Sequence, residues 1–378
     1  MLSNIFACRI IFFVVAFYVG LWTIRVPTIK DQIGTDYLGI GYILAAFALG
    51  SVIFMILSNK IIKFYSSKYV IEFCGYCHAI VWILAPFITS IYYFLFIAFI
   101  AGCCVGVYEV AMNLQASDIE KSNNKSMMSG FHAFFSLGLL IGATVTSIFV
   151  ELKISFFLNV VLVIIFLLPA NVFFAKLLGE DLQNNNDKAK NNIFFLWPVI
   201  LFILVFLTIA DSFAEGSVDA WAALYMRDHI LVTGFVIGLA TISFNIFMVV
   251  GRLIGDQIRD LLGVFQFILL LLVFCICGLI IIFYFNSITT SIIGFSLLGL
   301  GISNIIPLAY SISGKIDNID SAVSISIISI AAYGVFMIGP ALMGLIANSF
   351  GISYVFLPII ILFFICFIVI FLSKKLLV

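Results

Sequence analysis

Asp211, Glu215 and Asp219 stand four residues apart in the stretch DSFAEGSVDAWAALYM, directly after the apolar run FFLWPVILFILVFLTIA. Residues at i, i+4 and i+8 advance only about 80° around a helix and about 12 Å along it, so the three carboxyls form one polar stripe. A charge near the centre of a bilayer costs at least about 2.5–3.5 kcal/mol if it faces lipid. The stripe must therefore face protein or a water-filled cavity. Loss of water disfavours the charged form of a carboxyl, and a carboxyl that can lose and regain a proton is what proton coupling requires. Trp221 and Tyr225 suit an outer aromatic belt. On that reading Asp219 lies near the interface, Glu215 about 6 Å deeper, and Asp211 near the midplane. Glu215 is then the expected coupling carboxyl, with Asp211 next.

Other polar residues interrupt apolar sequence in the same way: Glu109, Asn113, His132, Asn245 and Asn304. Glu109 and Asn113 share a helix face by their spacing. Glu109 has two open readings, a proton carrier facing His132 or a structural partner of His132 or Arg252. Arg25 ends the first apolar run, after Tyr18 and Trp22. One reading is that it snorkels to the headgroups. Pro27 just beyond it would end or bend the helix.

Several chemistries find no support. Cys74, Cys77 and His78 form a short triplet without a second cluster, and a zinc site needs about four ligands. The remaining cysteines read as packing, so no metal and no cofactor is expected. No G-x-x-x-x-G-K-[ST], G-x-S-x-G or H-E-x-x-H sequence is present, which argues against an ATPase, a hydrolase or any enzyme.

The elements that must position these groups follow from composition. Of 378 residues, 64% are hydrophobic and 10% charged, and the mean hydropathy is +1.29. Soluble domains run near 45–50% apolar and about 25% charged, so this is an integral membrane protein. A formal net charge of zero gives no sign of a nucleic-acid partner. The first apolar run, from Ile5 past Trp22, is too long for a signal core and ends in no A-x-A-like site, so it reads as a membrane helix. About 20 apolar residues cross the bilayer as a helix. That rule yields twelve spans, at 5–26, 38–58, 69–88, 91–115, 127–150, 154–176, 194–222, 232–254, 264–285, 288–312, 320–347 and 352–373.

Placing the N-terminus in the cytoplasm leaves only Arg25, Lys30, Lys153 and Arg227 outside, 4 of the 18 basic residues. The positive-inside rule then puts both termini in the cytoplasm. The polar segment at 177–193, with QNNNDKAKNN, reads as a solvated linker between a six-helix half at 1–176 and another at 194–378. Two six-helix halves joined by a cytoplasmic loop are the layout of secondary transporters with parallel repeats. The alternative is a non-transporting membrane receptor or assembly factor. Gly102–Gly106 and Gly138–Gly142 have the spacing of tight helix packing.

Five stretches in order carry a resemblance: WTIRVPTIK (22–30), EVAMNLQASDIE (109–120), GFHAFFSLGLLIGA (130–143), EGSVDAWAALYM (215–226) and GRLIGDQIRDLLG (251–263). Together they make the chain resemble a major facilitator superfamily transporter, of the bacterial inner-membrane branch related to fucose-type sugar permeases. The resemblance implies an all-α fold in which span 7 lines a central cavity and spans 1 and 7 meet at the outer face, where Arg25 reaches towards Asp219 or Glu215 in the other reading of that residue. Such a protein is expected to be a monomer in the bilayer, moving a small-molecule solute with protons. The cavity would offer Glu215, Asp211, Asn304, Asn245, Trp22 and Tyr18. The resemblance also implies a gating loop after span 8 with Arg252, Gly255, Asp256 and Arg259. A helix N-terminus carries about half a positive charge, so Asp256 is expected to cap or pair with the start of span 11 near Asp320–Ser324. The sequence departs from the family in two places. The loop after span 2, SNKIIKFYSSK, has Asn59 where the acid would fall. Asp219 comes one residue earlier than the family's span-7 acid, which turns it about 100° around the helix.

Overall fold

The computed structural model describes residues 2–123, 127–180, 198–313, 316 and 321–374. Among them the regular structure is helical, with no strand. Hydrocarbon offers no partner for backbone N–H and C=O groups, and a helix satisfies them within itself. The helices are α1 (Leu2–Ile33), α2 (Tyr37–Tyr65), α3 (Ser67–Leu84), α4 (Ile91–Asn123), α5 (Met128–Glu151), α6 (Phe156–Lys176), α7 (Val199–Asp228), α8 (Leu239–Leu262), α9 (Val264–Tyr284), α10 (Ile288–Ile302), α11 (Ile305–Ser313), α12 (Ser321–Phe350) and α13 (Leu357–Leu372). Eleven helical stretches among the described residues are long and apolar enough to cross a membrane, with α10 and α11 forming one of them. The 30-residue α12 stands outside that set.

The chain divides into two compact units, Met1–Asn184 with Val232–Gly238, and Asn185–Leu231 with Leu239–Val378. In the first, α1 lies along α5 and α6, α2 along α4, and α3 along α4 and α6. In the second, α7 lies along α12 and α13, α8 along α10, and α9 along α10 and α13. These are the same pairings once α7–α10, α12 and α13 are matched in order to α1–α6. The short α11 continues α10 and packs on α7.

Small residues set the closest approaches in the first unit. A Cβ on Gly138 or Gly142 of α5 would lie 3.0 Å from the carbonyl carbon of Phe13 or Phe17 of α1. One on Gly102 would meet the Phe47 carbonyl of α2. The glycine spacing therefore serves helix packing as expected, because a missing side chain lets backbones touch.

Two expected spans change shape. The seventh extends to Asp228, six residues past its expected end, and stops where His229 caps it by bonding Tyr225 O. The tenth is not one helix. It breaks at Ser303 and Asn304, and α11 begins with Pro307 in its first turn, where a missing N–H is tolerated. The matching α4 carries no proline and runs unbroken.

Of the expected linker, residues 181–193 lie outside the described residues. Its first residues are held by the first unit. Gln115 is buried and donates to Ser67 Oγ at 2.7 Å and to Gly179 O at 2.9 Å. Leu178 joins the core around Ile11, Phe12 and Phe131, and Lys68 pairs with Glu180.

Candidate functional site

The three acids share α7 as their spacing requires. Asp211 is 2% exposed, and its Oδ1 is buried without a hydrogen-bond partner. Glu215 and Asp219 are half-buried, and Asp219 Oδ1 is likewise buried and unpartnered. The charge of Arg252 on α8 acts on both Asp211 and Glu215.

The two aromatic residues taken as a depth marker are buried. Trp221 and Tyr225 are 0% exposed, so they are no aromatic belt. Tyr225 donates its hydroxyl to Ile282 O of α9 at 2.7 Å and packs edge-on against Phe295 and Phe356. A ring closed in by protein on all sides cannot anchor to headgroups. Because α7 runs nine residues beyond Asp219, about 13 Å of helix separates that carboxyl from the helix end.

Arg252 is fixed by the break in the tenth span. Pro307 has no N–H for the carbonyl four residues earlier, so the Ser303 oxygen lacks its helical donor. Arg252 Nε donates to that oxygen at 3.2 Å. Asn304 Nδ2 donates to Gly251 O and to Ser303 Oγ, both at 2.8 Å. Gly251 and Gly255 admit this contact, since a Cβ on either would collide with Ser303 or with the Asn304 amide. Asn304 is thus a packing residue between α8 and α10. Arg259 pairs with its neighbour Asp260 at 3.0 Å on an exposed surface, where such pairs contribute at most about 1 kcal/mol. The side chain of Asp256 and residue Asp320 lie outside the described residues.

Arg25 belongs to the first unit's own interior. It is 4% exposed. Its Nε donates to Asn159 Oδ1 at 2.9 Å and its Nη2 to Ile154 O at 3.0 Å. The guanidinium also lies over the Phe156 ring at 5.6 Å. A snorkelling arginine would be exposed at its tip, and this one is enclosed by α6 and the turn before it.

Tyr18 and Trp22 also turn inward within the first unit. Tyr18 stacks on His78 of α3 with centroids 4.6 Å apart, and Trp22 meets Trp82 of α3 edge-on at 6.4 Å. His132 is exposed, and its ring sits edge-on to Phe12 of α1 at 5.3 Å. Asn113 and Asn245 each donate to the carbonyl four residues back, Glu109 O and Thr241 O, at 2.9 Å. Among the described residues no group of three or more His, Cys, Asp and Glu side chains is placed to hold a metal ion.

One polar cluster was not expected. Tyr108 of α4 donates to Asn171 Oδ1 of α6 at 2.5 Å, and Asn171 Nδ2 donates to Ile71 O of α3 at 3.1 Å. Tyr18, His78, Tyr108 and Asn171 line a space of about 10 Å³, room for roughly one water. The available signal was Asn159 and Asn171 interrupting an otherwise apolar span, since polar side chains in hydrocarbon must find partners.

A sequence profile of the Major Facilitator Superfamily matches residues 8–316. The chain is 28% identical over 361 residues to an uncharacterized MFS-type transporter of Yersinia pestis, covering 94% of this chain and 92% of that protein. It is 25% identical over 362 residues to the membrane protein MosC of Rhizobium meliloti, covering 92% and 85%. In fold it is similar to a mutant form of the nucleoside transporter NupG, with a TM-score of 0.78 at 12% identity over 97% of this chain and 99% of that one. It is similar also to a bacterial homolog of the human lysosomal transporter Spinster in an inward-facing, unoccupied conformation, with a TM-score of 0.76 at 12% identity over 99% and 97%. Apolar spanning helices, two units with matching pairings and a profile match over most of the sequence agree, and the chain belongs to the major facilitator superfamily of integral membrane transporters, which are not enzymes.

Proposed function

We propose that this protein is a secondary active transporter that moves a small solute across the bacterial inner membrane by alternating access, coupled to protons and working as a monomer. On this reading there are twelve spans with both termini in the cytoplasm. The helices α1 to α9 each cross once, α10 and α11 cross together, and α12 and α13 complete the set. The halves are 1–176 and 194–378, joined by a cytoplasmic linker at 177–193. The solute and proton path draws on Glu215, Asp211 and Asp219, with Glu215 as the principal coupling carboxyl and Asp211 next. Glu109 and His132 are candidates for a second proton-bearing pair.

The observation that carries this reading is the charge imbalance around α7. Three carboxyls stand on one helix face, two of them with a buried oxygen that has no partner, beside the charge of Arg252. A static ion pair needs one acid. Additional buried carboxylates without partners are costly, and proton uptake removes that cost, so their charge state follows the proton supply.

A thermal-shift screen over sugars, amino acids and cationic drugs identifies a solute. Flux of that solute into proteoliposomes is then measured with and without a proton gradient. In Glu215→Gln, proton-driven accumulation should be lost while solute exchange across the membrane continues. Accumulation that persists in this variant removes the coupling role. No flux of any stabilising solute would favour the receptor or assembly-factor alternative.

A further inference from the structure

We propose that the exposed end of α2, at its turn into α3, binds the headgroup of an acidic phospholipid, with Lys60 and Lys63 on the phosphate and Phe64 beside them. The sequence around the turn is NKIIKFYSSKY, residues 59–69, which interleaves cations with apolar and aromatic side chains. The apolar stretch of α2 that can cross a membrane ends at Ser58, and that of α3 begins at Ser67. The residues between them stand where hydrocarbon gives way to headgroups.

One exposed face of α2 runs across that boundary. Ile53, Ile56 and Leu57 are exposed within the span, and Lys60, Lys63 and Phe64 are exposed beyond it. Offsets of 3, 4, 7, 10 and 11 residues from Ile53 keep all six within about 120° of the helix surface. Ser58 and Ile62, on the other side, are buried, and α2 packs along α4. The stripe that meets lipid tails therefore continues directly into two lysines and a phenylalanine that is 79% exposed. Past the tails, the next group on that stripe is the headgroup phosphate. Lysine suits the place, since its stem lies along apolar surface while its ammonium stays with polar partners.

The charges at this end of the first unit select an anionic headgroup. Glu180 is engaged by Lys68, and Glu72 by Lys176 at 3.5 Å. Among the described residues Lys60 and Lys63 have no carboxylate partner. Three residues apart, they are neighbours on the helix surface, so two uncompensated positive charges converge. An acidic lipid supplies the missing negative charge, whereas a zwitterionic headgroup carries a cation of its own. A single residue, Ser66, joins α2 to α3, with φ of +62° and its N–H on Ile62 O. The exposed rings of Tyr65 and Tyr69 flank that turn, and such rings favour the headgroup level.

The test is the melting temperature of the purified full-length protein in mild detergent at low salt, followed as lipid is titrated in. Phosphatidylglycerol should raise it, phosphatidylcholine should raise it much less, and inorganic phosphate should leave it unchanged. High salt should remove the difference between the two lipids, because exposed charges are screened. Lys60→Gln with Lys63→Gln should lose most of the phosphatidylglycerol shift, and Lys60→Arg with Lys63→Arg should keep it. Lys153→Gln, in the turn between α5 and α6, should keep it as well. A double glutamine variant that responds like wild type overturns the proposal. So does an equal shift with phosphatidylcholine, or a shift with inorganic phosphate alone, which would mark a site for free anions. The measurement uses no solute and no proton gradient, so its outcome is independent of the transport reading.

Discussion

Arg25 of α1 and Asn159 of α6 meet at 2.9 Å, deep enough that the arginine is 4% exposed. With the Ile154 carbonyl, that amide oxygen fixes Arg25 to its own bundle. The Nδ2 of the same amide is buried without a partner, so Asn159 serves Arg25 at the expense of an unsatisfied donor.

Removing that acceptor should be costly. Asn159→Leu strands a buried guanidinium N–H, and a hydrogen bond to a charged group contributes about 1.5–3 kcal/mol. The purified protein should melt several degrees lower. Asn159→Asp keeps the acceptor, adds an opposite charge and deletes the orphan donor, so it should melt no lower than wild type. If Arg25 must leave α6 during transport, Asn159→Asp should also slow solute flux while preserving the fold. Equal melting of the Leu and Asp variants would show that the bond carries little.

The Tyr108–Asn171 bond predicts a similar asymmetry in the bundle core. Tyr108→Phe deletes the donor to Asn171 Oδ1, leaving a buried acceptor unmet at about 1–3 kcal/mol. Gly75→Ala should be as harmful without touching either partner, since its Cβ would collide with the Asn171 amide. Thermal unfolding followed by tryptophan fluorescence measures both. A Gly75→Ala protein as stable as wild type would mean that α3 and α6 can separate without loss.

Tyr225 offers a test of the revised α7. Its hydroxyl donates to Ile282 O at 2.7 Å in a fully buried site. Tyr225→Phe should lower stability by about 1–3 kcal/mol, because the carbonyl is left unpaired. An aromatic-belt residue would tolerate the same change, as both rings sit comfortably at an interface. Retention of the wild-type melting temperature in detergent and in lipid would show that the bond to Ile282 carries little.

The segment Val232–Gly238 packs on α5 and donates a bond to one of its carboxylates. Glu151 Oε2 accepts the Phe235 N–H at 2.9 Å. Gly234 has φ of +65°, where an L side chain is strained, and a Cβ there would meet the Glu151 carboxylate. Gly234→Ala should raise the hydrogen-exchange rate of the Phe235 amide by roughly tenfold or more, corresponding to about 1.4 kcal/mol of local opening. Glu151→Ala should do the same through loss of the acceptor. Unchanged exchange in both would mean that the docking of this segment does not depend on Glu151.

The membrane class, the helical fold and the family were legible in the sequence, because each rests on a one-dimensional property. Length and apolarity of a run decide whether it crosses lipid, and the i, i+4, i+8 spacing of Asp211, Glu215 and Asp219 places them on one face whatever surrounds the helix. The Gly138–Gly142 contact was legible for the same reason, since a missing Cβ is a local fact with one use in a helix pair. What Trp221 and Tyr225 face was not. An aromatic side chain beside an apolar run suits either lipid headgroups or a protein core, and only the packing of α9, α10 and the turn before α13 around α7 chose the core. The partners of Arg25 were undecided likewise, because Asn159 lies 134 residues away in sequence. The break in the tenth span lay between these cases. Pro307 announces a missing amide, but a proline in a spanning helix can kink it or be absorbed. The outcome depended on Arg252, from a different helix, donating to the Ser303 oxygen that the proline leaves without its helical donor, and on Asn304 bonding Gly251.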